Sequence, residues 1–143
     1  MTDHRELART LFNSVWDLLD RTDRTPADDD RMIHMAHASR YHWGEVGTAQ
    51  NLIRGEWQCA RVYAVLGRPE PALWHGRRAL ALCQEHGVTD FDLAFAHEAI
   101  ARAHAIAGRT DQARESLDRA AVVPIADPED RDQLKQDLAS VLT

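Results

Sequence analysis

Apolar residues recur every three or four positions along almost the whole chain, and no stretch alternates apolar and polar residues as a strand does. This spacing is typical of helices that bury one face, so the sequence predicts an all-α protein. Segments rich in Gly, Pro, Asp and Thr interrupt the pattern, and these residue types begin or end helices. The interruptions separate seven predicted helices: 4–21, 27–43, 48–66, 69–86, 91–107, 111–122 and 128–142.

Two of the predicted helix starts have a clear physical cause. In the segment TPADDD, Thr25 can accept a hydrogen bond from a free backbone N–H, and the proline that follows suits the first helical position. The acidic run 28–30 then places negative charge where the helix dipole favours it, which indicates a helix start rather than a metal site. DPED repeats the device with Asp127 as the cap and Asp130 in the reciprocal position of a capping box.

The segment around the Leu-Gly-Arg-Pro break at 66–69 occurs twice when the sequence is compared with itself. The second copy lies 41 positions further on, and it keeps the Gly-Arg break and the alanines that follow it. A glycine just past a helix can adopt the left-handed conformation that ends it, and small residues let two antiparallel helices approach closely. The repeated unit is therefore a helical hairpin. The matching pairs include Ala60 and Ala101, Arg61 and Arg102, Ala64 and Ala105, Gly67 and Gly108, Ala72 and Ala113, and Ala79 and Ala120.

This pattern resembles the tetratricopeptide repeat (TPR) family, in which a small residue, an aromatic, a glycine and two alanines recur in each hairpin. Tyr63 stands in the aromatic slot of the first copy and His104 in that of the second. The period of 41 exceeds the family's usual length, and Gly76 and Leu117 replace an expected aromatic. The resemblance implies an α-solenoid, a stack of helical hairpins that bury one another's apolar faces. The expected organisation is one domain, 1–143, made of an N-terminal hairpin 4–43, repeats 48–86 and 91–123, and a capping helix 127–143.

Composition and charge narrow the function classes. The formal net charge of −6 argues against nucleic-acid binding, which needs clustered Lys and Arg. No apolar run approaches the roughly 20 residues of a membrane span. Cys59 and Cys83 lie in apolar, helix-like runs, so we expect reduced core cysteines in a cytoplasmic protein.

The resemblance also implies a binding surface, because the first helix of each TPR hairpin lines a concave groove. In this chain the corresponding face would carry an Arg and aromatic stripe from two helices. Arg61 and Arg102 are repeat equivalents, so they should lie side by side and could hold an acidic peptide by forked hydrogen bonds. The alternative is internal pairing of both arginines with Glu56, Glu98 or Asp92. The predicted groove residues are Arg54, Trp57, Arg61, Phe95, Glu98 and Arg102.

A second unusual segment, RMIHMAHASRYHW, concentrates histidines and aromatics in one predicted helix. His34, His37 and Tyr41 share a face there. Two histidines three positions apart can supply two metal ligands, but a site needs three or four, so Glu45, His97 or His104 would have to converge on them. The structural alternative is that these histidines form hydrogen bonds between helices.

Three function classes remain. We expect a non-enzymatic binding module for a protein or peptide, with no metal and no cofactor. The first alternative is a helical enzyme or metal-binding protein that uses the His-rich segment 34–42. The second is a self-associating dimer in which an exposed aromatic such as Trp16 or Trp74 forms the contact.

Overall fold

A computed structural model describes the whole chain, residues 1–143, and contains seven helices and no strands, which confirms the all-α prediction. Most predicted boundaries lie within one or two residues of the observed ones. The exception is α2, which continues past Gly44 and ends three residues later than predicted, because the chain leaves the helix only at Gly47. The helices are α1 (His4–Leu19), α2 (Pro26–Val46), α3 (Ala49–Val65), α4 (Pro69–His86), α5 (Asp90–Ile106), α6 (Thr110–Ala121) and α7 (Pro128–Val141).

Side chains cap several of these helices at the predicted places. Thr25 and Asp28 form a reciprocal capping box at the start of α2. At the start of α7, Asp127 accepts a hydrogen bond from the backbone N–H of Glu129 at 2.8 Å. The predicted reciprocal role of Asp130 is wrong, because Asp127 bonds one residue earlier and the Asp130 carboxylate makes no capping hydrogen bond. The side chain of Asp130 therefore takes no part in capping α7.

The internal repeat predicted from the sequence is present in the backbone. Helix α5 has the bounds of α3 shifted by 41 positions. The turns that follow also match: Gly67 and Gly108 both have positive φ, at 72° and 78°. Arg68 N–H donates to the Tyr63 carbonyl at 2.9 Å, and Arg109 N–H donates to the His104 carbonyl at the same distance. Chain reversal is thus achieved by one mechanism in both hairpins.

Alanines let the helices of each hairpin pack closely. Ala72 and Ala113, the first equivalent pair after the turn, are both fully buried, as are Ala79 and Ala120. Gly76 lies against the α5 backbone, and a Cβ at this position would stand 3.3 Å from the Ile100 nitrogen. At this position α4 and α5 therefore leave no room for a larger side chain.

The seven helices pack in a regular order. Each helix contacts the next one along the chain, and α3 also contacts α1 and α5, while α5 also contacts α7. The even-numbered helices α2, α4 and α6 do not contact one another. The odd-numbered helices α1, α3, α5 and α7 therefore form one continuous face of the protein, and the predicted binding residues lie on this face.

Candidate functional site

The face formed by the odd-numbered helices contains a cleft of about 460 Å³. Helices α1, α3, α5 and α7 all contribute side chains to it, so residues from widely separated parts of the sequence meet there. Its volume falls within the range of about 300–1,000 Å³ that is typical of ligand pockets. The cleft is lined by Phe12, Trp16, Ile53, Arg54, Trp57, Phe91, Asp92, Phe95, Asp130, Gln133 and Asp137.

Aromatic rings form a continuous strip along the cleft. All three phenylalanines of the chain and two of its four tryptophans belong to this strip. From α1 to α5, the ring centroids of Phe12 and Trp16 are 6.5 Å apart, those of Trp16 and Trp57 5.5 Å, those of Trp57 and Phe95 6.0 Å, and those of Phe95 and Phe91 4.5 Å. Such spacings are those of interacting rings, so the strip is a packed surface.

The indole of Trp57 stands at the centre of the strip. Its Nε1 atom is buried and makes no hydrogen bond within the protein. A buried N–H without an acceptor is costly, and buried indole nitrogens usually find a partner. The Arg61 guanidinium lies 5.1 Å from the Trp57 ring centroid, so one cation already interacts with this ring.

Carboxylates surround the strip. Asp92 accepts hydrogen bonds from Arg54 at 3.0 Å and from Gln50 at 2.9 Å. Asp130, on α7, makes no hydrogen bond or ion pair with its side chain and is partly buried. Partial desolvation raises the pKa of Asp130, and the neighbouring carboxylates of Asp127 and Asp90 raise it further. The cleft thus contains one carboxylate without an ion-pair partner, although the nearby Arg54 guanidinium acts to lower its pKa.

Beside the cleft, a buried cluster of charges joins α3, α5 and α7. Glu98 is fully buried and accepts hydrogen bonds from Arg61 at 3.2 Å and from Arg102 at 2.7 Å. Helix α7 completes the cluster: Asp137 lies 3.8 Å from Arg61, and Ser140 accepts a hydrogen bond from Arg102 at 2.8 Å. Both arginines are therefore satisfied within the protein.

The structure places the six predicted groove residues on one face but in two groups. Arg54, Trp57 and Phe95 line the cleft. The other three, Arg61, Glu98 and Arg102, form the buried cluster. The two arginines do lie side by side, as predicted from the repeat, and Glu98 is the internal partner that the alternative interpretation named. The Glu98 carboxylate thus offsets the positive charge of Arg61 and Arg102, on which the prediction of an acidic ligand depended.

Sequence reasoning missed the contributions of α1 and α7 to the cleft. Phe12 and Trp16 stand four positions apart and so share a helical face, a signal that the sequence does contain. Helix α7 was predicted to be a cap with a polar outer side, and Leu134 and Val141 are indeed buried. Its polar residue Asp137, however, faces the cleft and Arg61 rather than solvent alone. Leu142 lies past the end of α7 and is exposed.

The histidines of segment 34–42 interact in pairs with other helices. His37 Nε2 lies 2.8 Å from the Tyr63 hydroxyl, and His42 Nδ1 lies 2.8 Å from His4 Nδ1. His34 is exposed. No group of three or more His, Cys, Asp or Glu side chains is arranged to hold a metal ion. The helix therefore shows the hydrogen bonds of the structural alternative and no assembled metal centre.

Burial shifts the pKa values of three histidines and of both cysteines. It lowers the pKa of three histidines, and nearby positive groups lower it further, chiefly His75 beside His37, Arg119 beside His97 and Arg109 beside His104. Burial also raises the pKa of Cys59 to about 12 and that of Cys83 to about 11. A thiol with such a pKa is a poor nucleophile at neutral pH.

Comparison with known proteins identifies no family for this chain. No model of a known protein family matches the chain, and no curated protein matches it either. None of the seven helices combines the length and the apolar character that a membrane crossing needs. The class defined by the fold and the cleft is an all-helical protein with an aromatic cleft on one face.

Proposed function

We propose that this protein is a non-enzymatic binding module that holds a protein or peptide segment in the aromatic cleft. The observation that carries the proposal is the strip of five packed rings that lines the cleft, four of them partly exposed and the fifth, Phe95, buried beneath them. Aromatic residues dominate the energetics of protein interfaces because they present large rigid surfaces at low entropic cost.

The polar groups of the cleft suit a peptide. The Trp57 indole N–H has no acceptor within the protein, but its Nε1 atom is buried, so the ring would have to rotate before it could donate to a peptide carbonyl. Gln133, exposed on α7, carries both a donor and an acceptor at the cleft. A bound segment could thus pair its backbone with these groups while its side chains cover the rings.

We further propose that the helices form a TPR-like α-solenoid whose odd-numbered helices line the binding groove. The matching turn hydrogen bonds 41 positions apart support a repeat, and so do the contacts among α1, α3, α5 and α7. In this arrangement α7 occupies the place of one further groove helix. Free, buried Cys59 and Cys83 agree with a role in the reducing cytoplasm.

Two substitutions on α7 test the proposal. Gln133 and Gln136 are both exposed, but only Gln133 lines the cleft. Gln133→Trp should fill the cleft, while Gln136→Trp is the matched control with the same change on the same helix. Peptides enriched from a displayed random library on the wild-type protein should bind the control equally well and Gln133→Trp at least about tenfold more weakly.

Equal binding to both variants would show that the selected peptides bind elsewhere, and failure to enrich any peptide would contradict the proposed function itself. Circular dichroism of the two variants serves as the check on folding. Both substitutions are on exposed positions, so neither should change the helical spectrum.

Self-association is the second candidate, and one observation favours it. Trp74 on α4 is 58% exposed and does not line the cleft. If this ring forms a dimer contact, sedimentation velocity at tens of micromolar should show a dimer, and Trp74→Ser should convert it to a monomer. A wild-type monomer under these conditions contradicts the dimer.

A further inference from the structure

We propose, on the basis of the peptide-binding function above, that the cleft selects a cationic side chain, the guanidinium of Arg or the ammonium of Lys, in the bound segment. The geometry that points to this ligand class is the juxtaposition of an aromatic strip, an unneutralised carboxylate and a surplus of acidic over basic lining residues. Each of these features attracts a cation, and an anion meets none of them favourably.

The lining of the cleft carries three carboxylates, Asp92, Asp130 and Asp137, against one guanidinium, that of Arg54. Arg54 is already paired with Asp92 at 3.0 Å. Asp137 lies 3.8 Å from Arg61, at the side of the cleft nearest the buried cluster. Asp130 alone has no basic partner, so a ligand cation would find an available carboxylate there.

The surroundings of Asp130 make a cation favourable for a second reason. Asp127, Asp90 and Glu129 stand near it, and their charges oppose its ionisation, while Arg54 has a smaller effect in the opposite direction. A bound ammonium or guanidinium would relieve this repulsion, whereas a bound carboxylate would add to it. The net charge of −6 acts in the same direction, because it attracts cationic segments to the protein over longer distances.

The basic side chains near the cleft already have acidic partners. Arg54, which is 49% exposed, pairs with Asp92 through its Nε, and the two other arginines belong to the buried cluster. Arg61 and Arg102 both donate to the fully buried Glu98, and Arg102 also donates to Ser140 and to the Asp137 carbonyl. Detaching either arginine to bind a ligand would leave Glu98 buried with less compensation, which costs several kcal/mol. An acidic ligand would therefore have to compete with Asp92 for Arg54 or break the buried cluster, while a cation does neither.

The aromatic rings provide the other half of the cation site. Arg61 approaches Trp57 at 5.1 Å, so this strip already binds one guanidinium from within the chain. No cationic side chain stands over Phe12, Trp16 or Phe91. A Lys or Arg side chain lying along these rings would bury its aliphatic stem and place its charge near Asp130.

Three capped pentapeptides test the inference: acetyl-Ala-Phe-X-Leu-Ala-amide with arginine, citrulline or glutamate at X. Citrulline keeps the shape of arginine but lacks its charge. Titration of the wild-type protein, followed by the indole signals of Trp16 and Trp57 in ¹H–¹⁵N spectra, should give an affinity for the arginine peptide about tenfold higher than for the citrulline peptide. The glutamate peptide should bind most weakly.

A matched pair of variants locates the charge. Asp130→Asn should reduce affinity for the arginine peptide about fivefold and leave the citrulline peptide unchanged. Asp132→Asn removes the same charge from α7 at an exposed position outside the cleft, and it should change neither affinity beyond about twofold.

The outcomes separate the two proposals. Equal affinity for arginine and citrulline, preference for glutamate, or an equal loss in Asp130→Asn and Asp132→Asn would overturn the cation selection while the cleft remained a peptide site. If none of the peptides moves the Trp16 and Trp57 signals at about 5 mM, both the selection and the proposed peptide-binding function are contradicted.

Discussion

The buried carboxylate of Glu98 offers a direct comparison with an exposed one of the same local geometry. Glu98 and Arg102 form an i,i+4 pair on α5 at 2.7 Å, and Glu115 and Arg119 form an i,i+4 pair on α6 at 2.8 Å. The two carboxylates differ in burial, since the Glu98 side chain is 0% exposed and that of Glu115 is 63% exposed. Replacing each with glutamine removes the charge and nearly preserves the volume.

The expected cost of the two substitutions differs severalfold. Glu98→Gln leaves two guanidiniums, each only 18% exposed, around a neutral amide that can accept from just one of them at full strength. Removing one member of a buried ionic cluster costs about 3–5 kcal/mol. The lower end applies here, about 3 kcal/mol, because Arg61 keeps Asp137 and Arg102 keeps Ser140. Glu115→Gln should cost less than about 0.5 kcal/mol, as is usual for exposed pairs.

Urea denaturation followed by far-UV circular dichroism measures both changes. A domain of this size has a free energy of unfolding of about 5–15 kcal/mol, so Glu98→Gln should remain folded at room temperature, with its melting temperature lowered by about 10 °C. The Glu115→Gln curve should nearly coincide with that of the wild type. Free energies of unfolding that agree within about 0.5 kcal/mol for the two variants would refute the assignment of Glu98 as the centre of a stabilising cluster.

Three further predictions concern the hairpin turns, the cysteines and the histidines. Gly67→Ala and Gly108→Ala should each lower the free energy of unfolding by about 1 kcal/mol, because both positions have a positive φ that alanine adopts only with strain. An added Cβ would meet no atom within 4 Å at either position, so no steric clash adds to this cost. Very unequal losses would contradict the equivalence of the two turns. Cys59 and Cys83 should resist alkylation by a maleimide in the native protein and react fully in denaturant, since burial raises the pKa of both thiols. Mass spectrometry measures the labelling, and rapid labelling of the native protein would contradict this prediction. The protein should lose stability as the pH falls below about 6.5, because burial lowers the pKa of His37 and two other histidines in the folded state and the unfolded chain then binds more protons. Urea denaturation at pH 7.5 and pH 5.5 measures this loss, and a free energy of unfolding that does not change between them contradicts it.

Local rules accounted for most of the helices because their causes are local. The Thr25 cap and the glycines at 67 and 108 act on residues within one turn of themselves, and their effects are visible in the sequence. The end of α2 was misplaced because Gly44 is also a helix-breaking type, and only the capping box of Thr48 and Asn51 fixes where the next helix begins.

The cleft was harder to predict because it depends on contacts between distant parts of the chain. The faces of α3 and α5 could be assigned from the repeat, which gave Arg54, Trp57 and Phe95 correctly as neighbours. The place of α7 could not, since its few apolar residues are compatible with packing on several surfaces. The pairing of the two arginines could not be decided for the same reason: Glu98 was one of the candidate partners in the sequence, but its burial between Arg61 and Arg102 depends on the packing of the helices.

The most direct test of the central claim uses the four tryptophans as reporters of where a peptide binds. Trp16 and Trp57 line the cleft, whereas Trp43 and Trp74 do not. In ¹H–¹⁵N spectra of the wild-type protein titrated with a library-selected peptide, the account predicts that the indole signals of Trp16 and Trp57 shift and those of Trp43 and Trp74 stay in place. Shifts confined to Trp43 or Trp74 would contradict it, because the peptide would then bind outside the aromatic cleft.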